Sequence, residues 1–155
     1  MKNETLYNKT VDILLQAYFN DTLRYWDCYA CAVGNLVSAN MGYKIVNRQW
    51  SDNDGNRVGF KWAGVHTISC GEPVICAENY TGLAKEQIDS TGYTFSQTSK
   101  IEQAFESGNK RDGDDKMFNG LMAVIDVLDQ IHENTDPLAT EQTKRKFNKT
   151  LHPIK

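Results

Sequence analysis

Four thiols are the residues whose types and spacing suggest chemistry. Cys28 and Cys31 form a Cys-x-x-Cys pair, and Cys70 and Cys76 follow with five residues between them. Zinc takes four soft ligands in a tetrahedron, at about 2.3 Å from each sulfur. Residues three apart on a helix share a face, so Cys28 and Cys31 at a helix start would present two sulfurs together. Gly71 and Pro73 make the second pair part of an irregular loop that could wrap an ion, and His66 could stand in for one thiol. One structural zinc held by Cys28, Cys31, Cys70 and Cys76 is therefore one reading. The five-residue gap is wider than paired zinc ligands usually show. A second reading is a redox pair, because a helix N-terminus favours a thiolate. That chemistry normally sits after a strand, and the segment before Cys28 has a helical pattern. The third reading is plain burial, since a reduced cysteine is a small core side chain.

Other constellations carry weaker signals. Asp126, Asp129, His132 and Glu133 fall three and four apart on one helical stretch, a spacing that could gather metal ligands or an acid–base pair. The plainer expectation is a solvated helix face, with His132 at the negative end of the helix dipole. Asp52-Asn53-Asp54-Gly55-Asn56 resembles the start of a calcium loop. Its glycine is in the fourth position rather than the sixth, however, and the twelfth residue is Ala63 instead of Glu, so a turn is expected. Trp50, Trp62 and Tyr43 stand in an aromatic-rich stretch and are candidate ligand-binding residues, since such rings stack on flat ligands. Lys144, Arg145 and Lys146 with Lys149 and Lys155 make a basic tail that reads as a solvated terminal helix. No phosphate loop, dinucleotide-binding glycine pattern or nucleophile elbow occurs in the chain. Catalytic residues are therefore not assigned.

The elements that must position these residues read as helices. Tyr7, Val11, Leu14, Leu15 and Tyr18 repeat at three and four and predict a helix over about residues 4–22. A slim helix is expected from Cys28 to Met41, with Asp27 as its N-cap and Gly42 as its stop. Ala30, Ala32, Gly34, Ser38 and Ala39 would let neighbours come close, which puts it at the centre. Residues 43–80 look different, with short extended pieces and a hairpin closing around Asp54-Gly55. Helices return over Leu83 to Ser90, then from a capping box at Ser99 and Glu102 to Gly108. The strongest stripe is Met117, Leu121, Val124, Ile125, Leu128 and Ile131, which predicts a helix over Lys116 to His132. Asp136-Pro137 opens a last one. The expected fold is mainly α, five or six helices in one domain over residues 1–155, with a small irregular or β-hairpin insertion at about 43–80. The helices at 4–22 and 116–132 are expected to pack on the slim one.

Composition narrows the function classes. Of 155 residues, 24% are charged and 40% apolar, which fits an ordinary globular chain rather than a disordered one. A net charge of -3 argues against a general electrostatic grip on nucleic acid. No apolar run reaches the roughly 18 residues of a membrane span. The polar residues Asn8, Lys9, Thr10 and Asp12 interrupt the N-terminal apolar stretch, so no secretory signal is read and a cytoplasmic protein is expected.

Two stretches, residues 28–36 and 118–133, resemble segments of small uncharacterised proteins of Bacteroidetes-type bacteria and their phages. That resemblance implies no activity and no site residues, at most a phage or mobile-element accessory role. The expected function is a non-enzymatic binding or interaction protein that sequesters a host protein or a small signalling ligand. The alternative is a thiol- or zinc-dependent enzyme centred on Cys28, Cys31 and His66.

Overall fold

A computed structural model of the chain describes residues 1–24, 30–46, 49–58, 82–108 and 115–148, with the backbone alone at 82–84. The described residues are mainly helical, with a small antiparallel sheet inserted after the second helix. Helix α1 runs Glu4–Phe19 and α2 runs Ala32–Met41. Strands β1 (Lys44–Val46), β2 (Gln49–Ser51) and β3 (Arg57–Val58) pair in that order. Then come α3 (Gly82–Ser90), α4 (Phe95–Ser107), α5 (Lys116–Ile131) and α6 (Pro137–Arg145). No helix among the described residues is long and apolar enough to cross a membrane.

Each boundary has a local cause. Asp115 caps α5 by accepting from the amide of Phe118, and Asp136 caps α6 with Pro137 at its first turn. Gly42 ends α2 at φ 76°, a left-handed conformation that glycine adopts without steric cost. In the turn between β2 and β3, Oδ1 of Asp52 accepts from the amides of Asp54 and Asn56, at 2.9 and 2.8 Å. That oxygen organises backbone, as a turn requires.

Two expected helix starts are corrected. Helix α2 begins at Ala32 with Cys31 as its N-cap, so Asp27 does not cap it; Asp27 and Cys28 lie outside the described residues. Helix α4 begins one turn earlier than expected, with a capping box formed by Thr94 and Gln97. The left-handed Gly92 just before it breaks the chain there, so the helix can start at once and bury Thr98. Ser99 and Glu102 sit inside the helix, and Glu102 points into the core.

The core joins faces of α1 through α5. Leu14, Leu36, Ile101, Phe105, Leu121, Ile125 and Leu128 are sealed from water, along with Trp50 from the sheet. The expected packing needs one revision. Helix α1 does lie on α2, but α5 packs chiefly on α4 and touches α1 and α6 rather than resting on α2. The reason is a pair of glycines: a Cβ built on Gly108 would lie 2.2 Å from the backbone of Gly120. The two helices therefore meet backbone to backbone, closer than any side chain would allow.

Candidate functional site

Two buried polar clusters and one open groove hold the chemistry-bearing side chains. The first cluster sits where α1, α5 and α6 meet. Asp129 on α5 accepts from the Tyr7 hydroxyl at 2.9 Å, from the Asn134 amide at 3.1 Å and from the Thr140 hydroxyl. One turn further on, His132 lies edge-on to the rings of Tyr7 and Tyr93, with centroids 5.4 and 5.5 Å away. Its Nδ1 is 2.7 Å from the carbonyl oxygen of Lys2, which can only accept, so Nδ1 carries a proton. In the neutral ring Nε2 then accepts, and the Tyr93 hydroxyl 2.8 Å away donates to it. The Tyr93 oxygen in turn accepts a hydrogen bond from the Thr10 hydroxyl, 2.9 Å off. Burial pushes the Tyr7 and Tyr93 hydroxyls up to about 12.

This corrects the solvated-face expectation for that helix. Asp129 and His132 are 8% and 2% exposed, and only Asp126 and Glu133 face water. The heptad pattern could not show it, because α6 and the N-terminal residues fold over a face that is polar in sequence. Asp126 pairs with Lys144 at 2.7 Å, so one residue of the basic tail fastens α6 to α5. Lys149 and Lys155 lie outside the described residues.

The second cluster lies where α4 crosses the start of α2. Glu102 and Glu106 are 1% and 4% exposed, an uncommon burial for carboxyls. Oε1 of Glu102 accepts from the amide of Val33 at 3.1 Å, so the carboxyl of one helix meets a free N–H of another. Oε2 is sealed away without a well-formed partner, beside Cys31 and Glu106. Burial raises the Glu102 carboxyl above the ordinary carboxylate range, against the opposing help of Glu106, Cys31 and Val33. Burial likewise pushes the Cys31 thiol well up, and the Glu102 carboxyl adds to the effect. The amide of Gly34 donates to its sulfur at 3.3 Å. Cys31 is thus a helix cap inside the core, with no access to solvent.

Cys28, Cys70, Cys76, His66 and Trp62 lie outside the described residues. Among the described residues, no three His, Cys, Asp or Glu side chains are placed to hold a metal ion. Trp50 is wholly buried and cannot itself touch a ligand. Its ring backs that of Tyr43, with centroids 5.6 Å apart, so Trp50 positions Tyr43 instead.

Tyr43 faces the groove. A cleft of about 720 Å³ runs between the outer side of α1, the α2 helix and the first residues of β1. That volume falls within the range of small-ligand sites. Asn8, Asp12 and Gln16 line it from α1, and Tyr43 and Ile45 from the strand side. The side chains of Asn8, Asp12 and Gln16 have no hydrogen-bond or ion-pair partner among the described residues. Asn35, also in the lining, is tied to the backbone: its amide nitrogen reaches the carbonyls of Thr22, Ala30 and Cys31 at 3.1, 2.9 and 3.0 Å. Its oxygen accepts from the Thr22 hydroxyl. Sequence reasoning singled out Tyr43 but missed the α1 residues, because an amide on a solvent-facing helix is unremarkable until a second helix walls it in. No protein-family model, curated protein or solved structure matches this chain.

Proposed function

We propose that this chain is a non-enzymatic recognition protein and that the groove between α1, α2 and β1 is its binding surface. The observation that carries this reading is a division of labour among polar side chains. Asn8, Asp12 and Gln16 are uncommitted and face the groove. Asp129, His132, Glu102 and Cys31, by contrast, are buried and are spent on holding helices together. Recognition needs a formed concavity with a few free polar groups, and the groove has both. The thiol-centred alternative, built on Cys28, Cys31 and His66, draws less support: a nucleophilic cysteine is accessible and has a lowered pKa, and Cys31 is neither.

The test is a nuclear magnetic resonance titration of the isotope-labelled chain against nucleotides, oligosaccharides and short peptides. Shifts clustered at Asn8, Gln16, Tyr43 and Ile45 for at least one class support the reading, and Tyr43→Ala should weaken that response. Shifts confined to another face, or turnover of any of these compounds by the purified chain, would overturn it.

A further inference from the structure

We infer that the occupant of this groove is an extended, uncharged segment of another polypeptide, about six residues long, held through its backbone. The inference rests on the groove being the recognition surface and goes on to name what it recognises. Asn8, Asp12, Gln16 and Asn20 follow one another at intervals of four along α1 and all line the groove. A helix rises about 1.5 Å and turns about 100° per residue, so these side chains stand about 6 Å apart along the axis, in a row that winds round it by about 40° per step. An extended chain repeats every two residues, or about 6.6–6.8 Å. The two periods nearly match: over the whole row the axial mismatch is only about 2 Å, within the reach of flexible amide side chains, and the segment would follow the slant of the row across the helix.

The chemistry of the row fits the same occupant. A carboxamide offers both a donor and an acceptor, so Asn8, Gln16 and Asn20 can each meet the N–H and C=O that every second residue of an extended chain presents along one edge. Asp12 accepts from an N–H at the step between. The strand side repeats at the same interval: Tyr43, just before β1, and Ile45 within it are two residues apart, and both line the groove. Alternate side chains of an extended segment would rest on that side. Charge points the same way. Among the described lining residues Lys9 and Asp12 are the charged ones, so the lining is neutral and complements an uncharged backbone rather than a phosphate or a polycation.

The experiment uses a library of random, end-capped hexapeptides screened against the full chain, followed by an N-methyl scan of the best binder. Methylating one amide at a time removes one donor at a time. The expected result alternates: methylation at every second residue abolishes binding, while the intervening positions tolerate it. The paired substitution Asn8→Ala with Gln16→Ala, on an exposed face with melting unchanged, should weaken binding about tenfold or more, the loss of one or two hydrogen bonds. A flat scan, undiminished binding to the paired variant, or no binder at millimolar concentration would overturn the inference. Concentration-dependent self-association removed by the same substitutions would overturn it too, by making the occupant a second copy. A saccharide or nucleotide that shifts the groove resonances when no peptide does would sink this inference and leave the recognition reading standing. Silence from every class at the groove would sink both.

Discussion

The Tyr93 hydroxyl lies 2.8 Å from Nε2 of His132, and this contact ties the turn before α4 to the C-terminal end of α5. The donor sequence runs Thr10 to Tyr93 to His132, with the far side of the imidazole donating to Lys2. Tyr93→Phe removes the middle member and leaves Nε2 and the Thr10 hydroxyl without their partner in a buried place. The expected cost is about 1–3 kcal/mol, read from urea unfolding. Combining it with Thr10→Val should cost less than the two single changes added, because both remove the same bond. Strict additivity would show that the chain of hydrogen bonds is not coupled.

The α4–α5 crossing depends on the absence of a side chain at Gly108. Gly108→Ala places a methyl 2.2 Å from the Gly120 backbone, where no rotamer can relieve it. Overpacking of this kind costs about 1–3 kcal/mol and here should reach at least the upper end. Leu128→Ala, fully buried in the core, should cost about 2–5 kcal/mol. Chemical denaturation of both variants measures this. Near-wild-type stability for Gly108→Ala would mean the helices can part without penalty.

Glu102 should make the fold lose stability as pH rises. Burial raises its carboxyl, so the folded chain binds that proton more tightly than the unfolded chain does. The resulting stability is fully present below the ordinary carboxylate pKa and is lost as pH climbs through the raised value. Glu102→Gln keeps an oxygen for the Val33 amide and has no proton to lose. Its melting temperature relative to the native chain should therefore rise from pH 5 to pH 9. A constant difference across that range would mean that the native carboxyl ionises without penalty.

Cys31 should be chemically silent in the folded protein. It is fully buried and its thiol is pushed up, so little thiolate exists and no reagent reaches it. Iodoacetamide labelling followed by peptide mapping should find Cys31 unmodified in buffer and modified at a rate that tracks unfolding in urea. Rapid native labelling would reopen the thiol-centred alternative.

How much of this was legible in the sequence varies by physical cause. The α5 stripe was plain, since Leu121, Val124, Ile125 and Leu128 repeat at the helical period and are all sealed in the core. The hairpin turn was equally plain, because Asp52 and Gly55 each have a local conformational role. Helix starts were harder. Asp27 is a better cap by type than Cys31, and Ser99-Glu102 carries the same signal as Thr94-Gln97; only the chain path decides between them. Asp129 and His132 were misjudged because a helical pattern reports one helix at a time, and their partners arrive from residues 2, 7, 93 and 140. The groove was least legible, since it exists only between elements.

Asn35 gives that concavity a property of its own. One side chain bonds Thr22, next to the end of α1, and Ala30 and Cys31, at the start of α2. The angle between the two helices is thereby set before any visitor arrives. On the proposed reading, association would need little rearrangement of the host, and most of its entropic penalty would fall on the incoming molecule. Tightening the grip of such a protein is a matter of stiffening its guest.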